Sequence, residues 1–247
     1  MSRRTMIVTV GFLCILAVLL IGDLIITNSS TYKSKSNGEK LVEIYKKQDD
    51  IKNRNLSILI EIDSKLLYLI DTDTNEIIKK YVVATGKKDT PTPIGSFKIV
   101  HKAIWGEGFG TRWMGLDVPW GKYGIHGTNK PQSIGYSSSQ GCIRMNNRDI
   151  EELYSLVKYG TRVAIVGGPY GPFNYGFRTL MHGDRGADVQ EVQKRLKQLG
   201  YYNGAIDGIF GYGMKEAVAK FYKDNKMPVS DRIGPDAYKK LNIVLMD

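Results

Sequence analysis

Two residues of this sequence could perform nucleophilic chemistry together: Cys142, and His126 sixteen positions earlier. A cysteine nucleophile needs a nearby base or cation to populate its thiolate. Glycine, which lets the backbone approach a substrate closely, follows the histidine as Gly127 and precedes the cysteine as Gly141. Backbone N–H groups around Gly141 and Cys142 could form an oxyanion hole. From spacing alone, a catalytic pair and a buried thiol beside a structural histidine fit the pattern equally well.

The first residues predict where the rest of the chain works. An apolar run over residues 7–27 is long enough, at ~20 residues, to cross a bilayer as a helix. Because Arg3 and Arg4 precede it, the positive-inside rule keeps residues 1–6 in the cytoplasm and places the remainder outside. A cleaved signal peptide would have a shorter apolar core and a small-residue cleavage site, so we predict an uncleaved signal-anchor. The protein is therefore expected in the cell membrane as a single-pass protein, with its other domains extracytoplasmic.

Composition and charge exclude several classes of protein. The 247 residues are 42% hydrophobic and 24% charged, which is typical of globular domains and not of disordered or fibrous chains. The net charge of +10 is spread thinly along the chain, so the dense basic cluster of a nucleic-acid binder is missing. Diffuse positive charge fits weak attraction to an anionic surface or polymer. The pattern indicates no nucleic-acid partner, no cofactor and no metal.

Residues 56–167 predict a mainly β domain behind a polar, lysine-rich tether at 28–55. From Leu56 onward apolar and polar residues alternate, which is typical of half-buried strands. One notable helix is expected where Ile150 and Leu153 fall at helical spacing, with Asn146 or Asn147 as its cap. Glycine-rich and proline-rich sequence between these elements favours short strands and functional loops.

Residues 178–247 predict a small all-α domain of three helices, joined to the β domain by an uncharged linker at 168–177. Val189, Val192 and Leu196 share one helical face, and Phe221 marks a second helix. Pro235 stands at the first turn of the third helix, where its missing N–H has no cost.

Three motifs carry a resemblance to a known family. They are TPTPIGSF at 90–97, GIHGT at 124–128 and SQGCIRM at 139–145. In this order they resemble the L,D-transpeptidase catalytic domain of bacterial cell-wall enzymes, over residues 56–167. The resemblance implies an L,D-transpeptidase-like β-sandwich. Gln140 departs from the family, which often has histidine at this position.

The last seventy residues resemble a second family. The motifs GDRGADV at 183–189 and DGIFG at 207–211 are similar to those of the three-helix peptidoglycan-binding domain. Met214 and Tyr222 depart from the residues that this family commonly has there. The resemblance implies peptidoglycan as partner, although most of the matched residues would build turns and core.

The first resemblance implies a cysteine-dependent L,D-transpeptidase acting on peptidoglycan stem peptides. Cys142 would attack, as a thiolate, the carbonyl between the third and fourth residues of a donor tetrapeptide stem, leaving a thioester. His126 would act as base, with its ring held by the Gly127 carbonyl. An acceptor stem would then resolve the thioester and create a cross-link between two third-position residues. Arg144 would contact a substrate carboxylate or favour the thiolate.

Several alternatives stay open at this level. Resolution of the thioester by water would make the protein an L,D-carboxypeptidase, and loss of activity would make it a non-catalytic wall-binding scaffold. Ser139 either binds substrate or stabilises its loop. Three tryptophans fit a substrate groove or an aromatic core equally well: Trp105, Trp113 and Trp120.

Overall fold

The computed structural model describes residue 46 and residues 48–245. The chain divides into one unit that ends at Asn53 and a second unit from Arg54 onward. In the first unit, residues 48–53 are helical and belong to the predicted tether. The predicted signal-anchor at 7–27 lies outside the described residues. Within the described part, no helix is both long enough and apolar enough to cross a membrane.

The second unit begins with a mainly β domain whose described strands form an eight-stranded sheet and a two-stranded sheet. The strands are β1 (Leu56–Glu61), β2 (Leu66–Asp71), β3 (Ile77–Val82), β4 (Thr85–Gly86), β5 (Gly95–Ile104), β6 (Arg112–Leu116), β7 (Tyr123–His126), β8 (Ser137–Ser139), β9 (Ile143–Arg144) and β10 (Arg162–Val166). The large sheet has the order β3-β2-β1-β10-β5-β6-β7-β9, and β4 pairs with β8 in the small one.

The alternating pattern that predicted the first strands also places their core residues. Ile58 faces Leu69 and Ile60 faces Leu67 across the antiparallel β1–β2 pair, and all four are buried. Burying such a side chain contributes ~1.5–3 kcal/mol relative to leaving it in water. The hydrophobic pattern therefore fixes which face of this hairpin packs inward.

Strand β5 makes the large sheet continuous. Its first residues, 95–98, pair with β10, and its later residues, 99–104, pair with β6. The register shifts between Ile99 and His101, which is a bulge and bends the strand. The predicted β-sandwich is therefore, in the structure, one continuous curled sheet, because a single ten-residue strand belongs to both halves.

Helix α1 (Asn147–Leu156) follows β9 and packs with Ile150, Leu153 and Leu156 buried. Its C-terminal end is held by Lys102 of β5, whose Nζ donates to the carbonyls of Tyr154 at 2.7 Å and Val157 at 2.6 Å. A cation there satisfies end carbonyls and complements the helix dipole. The ammonium thus fixes this helix against the sheet.

The C-terminal part is helical, as predicted. Its helices are α2 (Ala187–Gln198), α3 (Tyr212–Asp224) and α4 (Pro235–Lys240). Val189, Val192 and Leu196 are fully buried, as their spacing predicts, and pack with Phe210 and Phe221 in one core. The buried residues of this core all lie in the connecting segment and the helical domain.

The segment predicted as a linker, 168–177, is packed at both ends. The Gly168 N–H donates to Asp63 of the β domain at 2.8 Å, and the Tyr175 hydroxyl donates to the same carboxylate. Phe173 is buried in the helical core, with its ring edge against Tyr238 at 5.7 Å. The segment is therefore a structured connection that contacts both domains.

Replacing Phe173 with alanine tests whether the connecting segment belongs to the helical core. We expect Phe173→Ala to lower the free energy of unfolding of the C-terminal domain by ~3–5 kcal/mol, because it leaves a cavity in place of a buried ring. Hydrogen exchange of the amides in α2 and α3 measures the loss. Val229→Ala is the control, since Val229 of the same domain is 93% exposed. Unchanged protection in Phe173→Ala would contradict the packing described here.

Candidate active site

The parallel pairing of β7 with β9 brings the two candidate catalytic residues to one face of the sheet. Ile125 pairs with Ile143 and His126 with Arg144. Cys142 immediately precedes β9, where the register sets it beside Gly124, whose backbone N–H lowers the pKa of the thiol. Because alternate residues of a strand share a face, Gly124 and His126 lie on the same side of β7. The thiol and the imidazole therefore belong to the same site.

Aromatic rings cover His126, which is 3% exposed. Trp113 lies directly opposite it on β6 and stacks on the imidazole at 5.6 Å between centroids. Phe109 adds an edge contact at 5.0 Å, and Trp105 stacks on Trp113 at 5.0 Å. A Cβ at Gly124 would lie 2.7 Å from the Trp113 ring, so only glycine leaves room for the indole. Trp105 and Trp113 are thus site residues, which the sequence left undecided.

The His126 ring is oriented by its own neighbour in the chain. Nδ1 lies 2.6 Å from the carbonyl oxygen of Gly127, as the resemblance implies. A carbonyl can only accept, so Nδ1 carries the proton of the neutral ring and Nε2 carries its lone pair. Burial lowers the pKa of His126 to about 4, as does the Arg144 charge, against the opposing effect of the Gly127 and Phe109 carbonyls. The imidazole is therefore neutral at physiological pH and able to accept a proton.

Burial acts on the thiol in the opposite sense. It raises the pKa of Cys142, and this outweighs the Gly124 N–H and the Arg144 charge, both of which lower it. Removing a group from water disfavours its charged form, which is the thiolate for cysteine and the imidazolium for histidine. The resting pair is thus thiol and neutral imidazole, so the thiol would have to lose its proton before or during any attack by the sulfur.

Ser139 organises the turn that carries the nucleophile. Its buried Oγ donates to the Cys142 carbonyl at 2.6 Å and accepts from the Gly141 N–H at 3.0 Å. Gly141 has a φ of +107°, and a Cβ there would lie 2.7 Å from the Tyr123 ring. The Gly141 N–H is thus already donated, so it would have to leave Ser139 to serve an oxyanion.

Asn147 is a positioning residue that the sequence indicated only as a helix cap. Its Oδ1 accepts from the backbone N–H groups of Thr111 at 3.3 Å and Thr128 at 3.1 Å. These two groups flank the strands that carry Trp113 and His126. The Asn147 side chain therefore connects the segment before β6 to the loop that follows His126. Because this contact joins distant parts of the chain, no local sequence pattern predicts it.

Arg144 and Gln140, which the sequence also singled out, have different surroundings. Arg144 is fixed by backbone hydrogen bonds with Ala84 in both directions, and its charge acts on Cys142 and His126. Gln140 is exposed. His182, a histidine of the helical domain, lies tilted against Tyr212 at 4.3 Å between ring centroids. No cluster of three or more metal-ligating side chains occurs in the described part of the chain.

Comparison with known proteins matches two parts of the chain to family models. Residues 56–165 match the family model described as "L,D-transpeptidase catalytic domain", and residues 185–241 match "Putative peptidoglycan binding domain". The two matches stand in the order that the resemblances predicted, the L,D-transpeptidase catalytic domain first and the peptidoglycan-binding domain after it.

Relatives agree with these matches. "Putative L,D-transpeptidase YkuD" of Bacillus licheniformis is 46% identical over 110 residues, covering 44% of this chain and 64% of the relative. "Putative L,D-transpeptidase YqjB" of Bacillus subtilis is 41% identical over 108 residues, covering 37% and 61%. The chain thus spans less than two thirds of these relatives. The NMR structure of the catalytic domain of the E. faecium L,D-transpeptidase is 25% identical, covering 46% of this chain and 98% of that one, with a TM-score of 0.38.

Removing part of the aromatic cover should restore the basicity of His126. We expect Phe109→Ala to raise the pKa of His126 from about 4 toward its ordinary value of ~6.5, because water then reaches the imidazole. An NMR titration of the His126 ring protons measures the shift, with His126→Gln identifying the signal. Phe109→Leu keeps an apolar cover and should leave the pKa low. A pKa that stays near 4 in Phe109→Ala would show that this ring does not cause the burial.

Alkylation measures whether Cys142 rests as a thiol. In Cys14→Ser, where Cys142 is the only cysteine of the sequence, the rate with iodoacetamide should rise tenfold per pH unit past pH ~8.5. The raised pKa of Cys142 is the reason, since the thiolate is the reacting species. The urea-unfolded chain is the control and should level off above pH ~8.5. Levelling below pH 7 in the folded chain would mean a preformed thiolate.

Proposed function

We propose that this protein is a cysteine-dependent L,D-transpeptidase that joins third-position residues of two peptidoglycan stems through a thioester on Cys142. One observation carries the proposal: in a chain with this family's catalytic domain, β7 and β9 hold the thiol and a neutral, oriented imidazole on one face. A neutral base beside a protonated nucleophile is the arrangement that general-base catalysis requires.

In the acylation step, His126 takes the thiol proton as the Cys142 sulfur attacks the carbonyl carbon before the terminal D-alanine of the donor stem. The carbon–sulfur bond forms and the carbon–nitrogen bond breaks. The departing amine receives the proton from His126, so D-alanine leaves neutral at nitrogen and the thioester remains. The Gly127 carbonyl stabilises the imidazolium that forms in between, because it accepts from Nδ1.

Resolution reverses these roles. The side-chain amine of an acceptor stem attacks the thioester carbon, and His126 takes its proton and returns it to the leaving sulfur. Water in place of the amine would give the L,D-carboxypeptidase reaction with the same residues. The covered, apolar surroundings of His126 favour transfer because they limit the access of water to the base.

Arg144 supplies positive charge in this scheme. It pairs with His126 across the β7–β9 ladder, and its charge lowers the pKa of both Cys142 and His126. A fixed cation stabilises the negative charge that develops on sulfur and on the carbonyl oxygen during attack. Ser139 acts through the turn it holds and is a positioning residue.

The C-terminal domain would hold the wall polymer, and the predicted signal-anchor at 7–27 would hold the chain in the cell membrane with both domains extracytoplasmic. A peptidoglycan-binding domain in the same chain supports this location, because peptidoglycan lies outside the cytoplasm. The chain's spread positive charge adds weak attraction to an anionic polymer.

Product analysis tests the proposed reaction. The full chain, incubated with disaccharide-tetrapeptide, should yield dimers lacking one D-alanine, measured by mass spectrometry. Cys142→Ala should abolish them, because no sulfur remains to form the thioester, while Cys14→Ser should retain wild-type yield. Tripeptide monomers alone would establish hydrolysis instead of transfer. Unchanged substrate with retained wall binding would establish the scaffold alternative and overturn the proposal.

A further inference from the structure

The helical domain contacts the β domain at Trp120, which lies in the loop between β6 and β7. Trp120 is 5% exposed, with Phe97 of the β domain edge-on at 6.0 Å. Gly208 of the helical domain approaches the same indole so closely that a Cβ there would lie 2.6 Å from the ring. The φ of +69° at Gly208 also favours glycine. Trp120 is thus a contact between domains.

A buried polar side chain fixes the turn that makes this contact. Gln193 of α2 is fully buried, and its Oε1 accepts from the Gly208 N–H at 2.7 Å. Its amide nitrogen donates to Asp207 at 2.9 Å and to the Ile209 carbonyl at 3.0 Å. A buried amide with all these partners holds one conformation, so the turn is a rigid part of the helical domain.

Arg185 lies beside this turn and reaches the β domain. It pairs with Ile209 in an isolated bridge, and its Nη1 donates to the Trp120 carbonyl at 3.4 Å. Trp120 stands three residues before Tyr123, whose ring lies against Gly141, next to the nucleophile. Burial raises the pKa of the Tyr123 hydroxyl, and the nearby charge of Arg185 lowers it. Arg185 is therefore a cation of the C-terminal domain at the edge of the catalytic site.

The guanidinium of Arg185 has capacity for a further partner. Across the described residues no carboxylate forms an ion pair with it, whereas Arg178 of the same domain binds both Asp184 and Asp188. The side chain is exposed and its hydrogen bond to Trp120 is long. An exposed arginine with most of its donors open fits a planar anion, above all a carboxylate.

We propose that Arg185 binds a free carboxylate of the donor stem, so that the C-terminal domain completes the substrate site of the catalytic domain. The inference rests on the proposed function, whose donor carries a carboxylate on its terminal D-alanine and, where the third residue is diaminopimelate, a second one there. Arg185 is then a specificity-determining residue that distinguishes carboxylate from carboxamide at one of these positions.

Binding to the full chain carrying Cys142→Ala tests the proposal without turnover. Calorimetry would compare a disaccharide-tetrapeptide bearing diaminopimelate with two forms of it, one amidated at diaminopimelate and one at the terminal D-alanine. We expect Arg185→Ala to weaken binding of the free acid about tenfold. One of the two amidated ligands lacks the carboxylate that Arg185 binds, and the affinity for that ligand should not change. Arg185→Lys should recover part of the loss. Arg232→Ala, an exposed arginine elsewhere in the domain, should bind as the parent does.

Any other result would contradict the role of Arg185, the proposed reaction, or both. Equal affinity of the parent and Arg185→Ala for the free acid would overturn the role of Arg185. Equal weakening for all three ligands would also overturn it, because arginine would then act only through domain contact. If discrimination at Arg185 is found but the unmodified chain gives no product, the proposed reaction fails while the carboxylate site stands. No binding of any stem to the parent overturns both.

Discussion

The short parallel pairing of β7 with β9 is the constraint on which the candidate site depends. It sets Cys142 beside the N–H of Gly124, two residues from His126 on the same face. A side chain at Gly124 would collide with the indole of Trp113, and without that indole the imidazole would lose its stacked cover. Gly124 therefore has two roles: it lies beside the nucleophile, and it leaves room for the indole that buries the base. The surrounding elements preserve this arrangement: α1 is fixed by Lys102 at its end, and Asn147 joins the segments on either side.

Burial gives the proposed reaction its electrostatic character. Burial disfavours both the Cys142 thiolate and the His126 imidazolium, because each charged form loses hydration there. Charge appears only while the proton moves from sulfur to nitrogen. The groups that meet it are already in place: the Gly127 carbonyl for the imidazolium and the Arg144 cation for the developing anion. Such preorganised groups need little rearrangement during the reaction, which is the main source of electrostatic catalysis.

Local patterns predicted the elements, whereas long-range contacts decided how they are arranged. Alternation around Ile58 and Ile60 identified the first strand, and chemical type with the family motifs marked Cys142 and His126 as candidates. The curl of the sheet depends on a register shift inside β5, which no residue pattern announces. Asn147 and Trp113 act across strands or loops, so neither carries a local signal. The uncharged segment at 168–177 has the composition of a flexible linker, yet Phe173 inserts into the helical core.

Several contacts, among them the inserted phenylalanine, connect the catalytic domain with the helical domain. Asp63 binds one part of the connecting segment, Phe173 anchors another, and Trp120 is shared by both domains. Two domains connected in this way hold the polymer-binding surface and the catalytic site at a set distance from each other. The chain would then act on stems lying at a fixed offset from the point where it holds the glycan mesh, and the spacing of its bonds along the wall would reflect the geometry of the protein itself.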